Sequence, residues 1–340
     1  MVKRVGKGTI VFENAPVIAA SAAVVGKKEG EGPLKDRFDL VIDDSRCGED
    51  TYEAAESSLQ REAARLAMEK AQLGAKDIDC IFAGDLLNQC VGSSFGLMGF
   101  GAPFLGQYGA CSTMAQSLLM GAVFVESGAA NHALCVTSSH FCAAERQYRF
   151  PLEYGAVRTP TAQWTVTGAG GCVLGKTGTA ITVSAATPGK IIDLSITDAN
   201  NMGAAMAPAA ADTIVRFFRD TNTAAQDYDR VITGDLGAFG SELLYELLAR
   251  EGFSQFCDRH SDCGVLIFDR EQQDVHAGGS GCGCCASVLC STIFGDLANG
   301  RMHNILFVAT GALLSSTTAG QGKSIPSVAH LVHFTVPGEI

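Results

Sequence analysis

The feature that most constrains this 340-residue chain is an internal repeat. Asp77-Ile-Asp-Cys-Ile-Phe-Ala-Gly-Asp-Leu86 returns 150 residues later as Asp227-Tyr-Asp-Arg-Val-Ile-Thr-Gly-Asp-Leu236, with five of ten positions identical. Each copy follows an amphipathic run. The first spans about Thr51 to Leu73, with Gly74 suited to the position just past a helix end, and the second about Ala209 to Thr221. Each copy then reads as a short apolar strand ending at Gly-Asp-Leu. A second pair supports the first. Gly109-Ala-Cys111 opens an almost wholly apolar helix through Val125, closed by Gly128 and followed by the strand Ala133-Leu-Cys-Val136. Gly278-Gly-Ser-Gly-Cys282 opens another, followed by Ile305-Leu-Phe-Val308. Helices apolar on every face belong in the interior. The order predicts two α/β halves, 1–176 and 177–340, joined after the strand Cys172-Val-Leu174.

Composition narrows the function classes. The formal charge is −11, and no basic stripe of the kind that grips phosphate backbones is present. Hydrophobic residues make up 47% and charged ones 18%, enough for a buried core. Thirteen cysteines in a long chain without a signal-peptide core read as small apolar residues in a reducing compartment, not as a disulfide framework. Leu86 to Val125 carries no charge. Its seven glycines, Pro103 and several amides argue against a membrane span and for a buried interior or subunit interface.

Three constellations carry chemistry. Cys111 sits at the start of a helix, where unpaired N–H groups and the helix dipole are expected to stabilise a thiolate. His276, before a glycine-rich turn, is expected to face it from the other half. Ser138-Ser-His140, Glu145, Arg149, Glu153 and Arg158 follow a strand end, where α/β proteins bind ligands, and Arg149 and Arg158 are suited to carboxylates. Cys257-Asp-Arg-His260-Ser-Asp-Cys263 and Cys282-Gly-Cys284-Cys285 have zinc-ligand types at short spacing. Cys263-Gly-Val-Leu-Ile-Phe268 reads as a strand start and Cys282 to Cys290 as helix, so no metal site is expected. Gly168-Ala-Gly-Gly171 lacks the Lys-Ser/Thr of a phosphate loop.

Together, the segment Ala63–Asp79, the Ala-Cys-Ser turn at 110–112, Thr-Gly-Ala-Gly at 167–170 and His276-Ala-Gly-Gly-Ser-Gly281 resemble the thiolase-like superfamily of thiolases and ketoacyl synthases. The resemblance implies a duplicated, five-layered αβαβα sandwich. It also implies an acylated cysteine at Cys111 and a proton-transfer or oxyanion role for His276. Gly84-Asp-Leu-Leu-Asn-Gln89, Gly106–Thr113, Arg149-Phe-Pro-Leu-Glu-Tyr-Gly155 and Pro160–Gly170 more closely resemble the stage V sporulation AD family, a non-enzymatic branch of spore-forming bacteria.

That closer resemblance implies a protein that binds dipicolinic acid (pyridine-2,6-dicarboxylate) and helps move it into the developing spore. Two departures from the enzymes agree with it. The strand of the second half runs into Gly234-Asp235-Leu236 where synthases carry a histidine, and Ala309-Thr-Gly-Ala-Leu-Leu314 replaces the second thiolase cysteine. Each lost acid–base group slows condensation by roughly 10²–10⁴. The expected ligand contacts are Cys111, His140, Arg149, Arg158 and His276. Asp85 and Asp235 repel a free dianion unless they act through Ca²⁺ or lie outside the slot. No cofactor is expected. The expected partners are dipicolinate, alone or with Ca²⁺, a second copy of the chain, and membrane proteins of a spore transport complex. The expected location is the forespore, peripheral to the inner membrane. The alternatives are an acyl-thioester condensing or cleaving enzyme using Cys111, and a structural scaffold of the transport complex.

Overall fold

The computed structural model describes residues 2–148 and 157–337. Strands β1 (Val2–Val5), β2 (Thr9–Phe12) and β3 (Val17–Gly26) lead through the single turn α1 (Lys27–Gly30) to β4 (Leu40–Ile42). Helix α2 (Tyr52–Lys70) precedes β5 (Cys80–Gly84), α3 (Val91–Leu97), β6 (Phe104–Gly106), α4 (Thr113–Ser127) and β7 (Ala133–Ser139). Then come α5 (Phe141–Tyr148), β8 (Trp164–Thr165) and β9 (Gly168–Gly175). The second half holds β10 (Thr182–Thr187), α6 (Met202–Thr221), β11 (Arg230–Thr233), α7 (Gly237–Arg250), β12 (His260–Asp262) and α8 (Cys263–Leu266). It closes with β13 (Gly279–Ser280), α9 (Cys282–Val288), α10 (Phe294–Ala298), β14 (Asn304–Ala312), α11 (Ser316–Gly320) and β15 (Ser327–Thr335).

Ten strands run in the order β12-β11-β14-β15-β10-β3-β9-β7-β5-β6, with β1, β2 and β4 alongside. Numbered within each half, both halves have the order 3-2-4-5-1, and their first strands, β3 and β10, meet at Val17 and Thr182. Helix α2 covers one outer face and α6 the other, while α4 and α9 fill the middle. Layers therefore alternate αβαβα, the thiolase-like fold. The middle helices are apolar all round because both their faces meet sheet. Met114, Leu118 and Ala122 of α4, and Cys284, Cys285 and Val288 of α9, are buried. Removing a side chain such as Leu118 from this layer costs about 2–5 kcal/mol.

The repeated aspartates explain why the repeat is visible at all. Asp77 and Asp227 cap equivalent 3₁₀ turns by accepting the N–H of Gly74 (2.7 Å) and Ala224 (2.8 Å). Asp79 accepts the N–H groups of Asn131 and His132, and Asp229 those of His303 and Asn304, so each ties its strand to the next parallel strand.

Three local expectations are corrected. The left-handed residue after α2 is Gln72 (φ 58°), not Gly74. Helix α6 starts at Met202, seven residues before the expected Ala209, because Asn201 caps it by accepting the Ala204 N–H and Pro208 is accommodated inside it. Cys263 starts a helical turn rather than a strand, because Asp262 caps it by accepting the Val265 N–H. Among the described residues, no helix is long and apolar enough to cross a membrane.

Candidate functional site

Strand β5 delivers Leu86, the turn before α4 delivers Cys111, and β13 delivers Ser280 to one cavity. Ala110 adopts φ 51°, a left-handed conformation that costs an L-residue about 1–2 kcal/mol. Behind this turn Gly311 of β14 passes so close that a Cβ there would lie 2.2 Å from the Gly109 carbonyl oxygen. The cavity is small, about 60 Å³, and mostly apolar, with Leu86, Ala144, Tyr148, Met206 and Leu314 among its walls. An adjoining cavity of about 320 Å³ shares Ala110, Tyr148, Ala312 and Leu314 with it and is otherwise lined by neutral polar groups that include Asn88, Gln147, Ser315, Ser316 and Thr317.

The electrostatics overturn the expectation of an activated thiolate. Cys111 Sγ lies 3.9 Å from Ser280 Oγ, whose hydroxyl donates to the buried carboxylate of Asp235. Burial, the Asp235 charge and the neighbouring Cys282 push the Cys111 thiol well above its ordinary range, so it stays a thiol at neutral pH. The turn before α4 does supply a helix N-terminus, but dipole stabilisation of about 0.3–1 kcal/mol is small beside complete burial against a carboxylate. Asp235 is held by the Ser280 hydroxyl (2.9 Å), the Gly281 N–H (3.0 Å) and the Thr310 hydroxyl (2.9 Å). Its own acidity is weakened by burial and restored in part by these donors and Cys111.

A residue missed from the sequence fixes the Asp235 loop. Asp262, at the end of β12, accepts the Thr233 hydroxyl (2.6 Å) and the N–H groups of Leu236 and Gly237. Thr233 Oγ1 in turn bonds His260 Nε2 (2.8 Å), and Tyr245 bonds His260 Nδ1 (2.8 Å). Since Thr233 donates to Asp262, it accepts from His260, and the chain has a single direction from Tyr245 to Asp262. His260 and Asp262, within the run of zinc-ligand types, thus have structural roles, and the sequence signal for the Asp262 role is its place three residues before Val265, as a helix cap requires.

The other candidates do not meet at Cys111. Asp85 is buried outside the cavity, where it accepts the Leu87 N–H and both the N–H and hydroxyl of Ser93. His276 (φ 53°) turns outward to Asp274, its Nε2 3.1 Å from Oδ1, and Ser280, four residues on, takes the place facing Cys111. His140 is buried with Nε2 on the Ser45 carbonyl (2.7 Å) and its ring stacked on Tyr52. Arg158 pairs with Asp274 and lies over Trp164. Glu145 lines the cavity and accepts the Thr165 hydroxyl (2.8 Å). Arg149 and Glu153 lie outside the described residues. Among the described residues no cluster of three or more His, Cys, Asp or Glu side chains is arranged to hold a metal ion.

The cysteine turn before α4 thus faces Ser280 and, behind it, Asp235. Residues 6–335 match the family model of stage V sporulation protein AD. The chain belongs to that family. It is 44% identical over 336 residues to stage V sporulation protein AD of Bacillus subtilis (strain 168), covering 99% of each. Among solved structures it is similar to 3-oxoacyl-[acyl-carrier-protein] synthase III of Aquifex aeolicus VF5, with a TM-score of 0.55 at 11% identity, covering 94% of this chain and 99% of that one. It is also similar to cerulenin-bound OleA of Xanthomonas campestris, with a TM-score of 0.58 at 15% identity, covering 95% and 98%. These two likenesses establish the thiolase-like fold and nothing of its chemistry.

Proposed function

We propose that this sporulation-family protein is a non-enzymatic binder of dipicolinate that takes part in moving it into the developing spore. The observation that carries the reading is the placing of Asp235 beside Cys111, linked through Ser280: an anion stands where a condensing enzyme needs a proton-transfer or oxyanion donor. What remains of the site is a narrow apolar slot with an adjoining, hydroxyl- and amide-rich cavity. That shape suits a flat ring with carboxylates at its edge. The ring enters between Tyr148 and Leu314, and the carboxylates take hydrogen bonds from the adjoining cavity, away from Asp235. Bound Ca²⁺ offsets ligand charge where it accompanies dipicolinate. Within the same proposal the protein works in the forespore, peripheral to the inner membrane beside membrane partners.

A dimer through β6 belongs to this reading. β6 is one of the two end strands of the sheet order, and Phe95, Met98 and Phe104 around it are exposed. A second copy covers both the edge and the apolar residues.

One observation favours an acyl-transfer enzyme instead. The strained Ala110 places Cys111 at a sharp strand-to-helix turn, as a nucleophile requires. Calorimetric titration with dipicolinate, with and without Ca²⁺, and with acetyl-CoA separates the two. The proposal expects saturable dipicolinate binding and a silent acetyl-CoA titration; the reverse pattern restores the enzyme.

A further inference from the structure

Two of the groups nominated for a ligand's carboxylates, His140 and Arg158, lie on the Trp164 side of β8. Thr165 lines the Cys111 cavity, while Trp164, its neighbour in the strand, lines a separate cavity of about 420 Å³ with Lys28, Glu29, Asp43, His140 and Phe141. Phe141 stacks on the indole at 3.9 Å with planes 13° apart. The Lys28 ammonium lies 4.1 Å from the indole centroid and the Arg158 guanidinium 4.8 Å.

These groups are incompletely satisfied. Lys28 gives one N–H to the Gln273 carbonyl, and Arg158 Nη2 reaches the Asp274 carbonyl and carboxylate, but buried Arg158 Nη1 has no partner. A carbonyl only accepts, so His140 Nε2 carries the proton toward Ser45, leaving Nδ1 a buried acceptor without a donor. Glu29, 1% exposed, accepts the Thr167 N–H on Oε1 while Oε2 has no partner. Buried polar groups are nearly always paired. Two of these orphans belong to residues that line the cavity, His140 and Glu29, and the third to Arg158 over the ring of its wall residue Trp164, and together they point to a missing partner.

We propose that this cavity binds a small zwitterion of amino-acid type, its carboxylate on Lys28 and Arg158 and its ammonium on the His140, Glu29 and Asp43 side. Both cations lie over the Trp164 ring, and Asp274, the carboxylate that pairs with Arg158, is largely exposed. Burial and the Arg158 charge both depress the Lys28 pKa, a strain that an arriving carboxylate relieves. The acceptors opposite match a donor-rich end and reject a second carboxylate, which sets this site apart from the Cys111 cavity.

Trp164 is the only tryptophan in the chain, so its emission reports this cavity alone. The full chain is titrated with each of the twenty common amino acids, and with acetate, methylammonium and dipicolinate, by fluorescence and by calorimetry. The expected result is a saturable response to at least one amino acid at millimolar concentration. That response weakens tenfold or more in Lys28→Gln and Arg158→Gln, whose melting curves match the parent. No saturable response by either method, a response to dipicolinate alone, or one that survives both substitutions overturns the proposal.

Discussion

Ser280 links Cys111 to Asp235: its hydroxyl donates to the buried carboxylate of Asp235 (2.9 Å), and its oxygen lies 3.9 Å from the Cys111 thiol. A nucleophilic cysteine needs a neighbour that prefers the thiolate; this one has a neighbour that prefers the thiol.

Asp235→Asn tests that sign. Removing the charge lowers the Cys111 pKa, and each unit of decrease raises the thiolate fraction tenfold while the pKa stays above the assay pH. Iodoacetamide alkylation of Cys111 at pH 8, read by peptide mass spectrometry, is expected to run about tenfold faster or more in the variant. An equal or slower rate contradicts the assigned electrostatics.

The close approach of β14 to the cysteine turn predicts a packing effect. In Gly311→Ala the new Cβ meets the Gly109 carbonyl at 2.2 Å and the Ser112 nitrogen at 3.1 Å, both backbone atoms. Relief requires moving the turn that carries Cys111. The expected cost is about 1–3 kcal/mol, with weakened dipicolinate binding, read by denaturant melts and calorimetry. Unchanged stability and binding would show that the two strands separate freely.

Buried acids set the pH dependence of stability. Burial raises Glu29 from its ordinary 4.5 to about 7, and Asp262 from 3.8 to about 6. The folded protein holds protons that the unfolded chain releases, so their contribution is complete below the unfolded values. It is lost as pH rises through the folded ones. Stability is expected to fall between about pH 4 and pH 7, by about 3 kcal/mol for Glu29 if its shift is fully realised. Glu29→Gln should flatten that part of the slope, and an unaltered slope in urea melts across this range would remove Glu29 from the account.

The dimer proposed through β6 has its own test. Met98 and Phe104 are 66% and 42% exposed at the sheet edge, and a charge at either position opposes burial there. Light scattering is expected to give a dimer for the parent and a monomer for Met98→Glu combined with Phe104→Glu. A monomeric parent contradicts the arrangement.

The frame of the molecule was legible because its repeat rests on local rules. Asp77 and Asp227 cap turns, Asp79 and Asp229 bridge strands, and the apolar helices could only be central. The site was legible at Cys111 and Asp235 and not beyond. Repeated Asp85 and Asp235 look equivalent in sequence, yet Asp85 turns to Ser93 and Asp235 to Ser280, a divergence decided by tertiary packing. His276 lies four residues from Ser280, but its positive φ sends the ring outward. His140 and Arg158 were selected for charge, and which side of the two-residue β8 they reach depends on the pleat, which periodicity over so short a strand does not reveal.

Intact-mass spectrometry after incubation with a panel of acyl-CoAs addresses most directly whether Cys111 is a wall or a nucleophile. A thiol held protonated by burial and Asp235 predicts an unmodified mass with every acyl donor. A stable acyl adduct that maps to Cys111 and vanishes in Cys111→Ser would contradict it and return the site to catalysis.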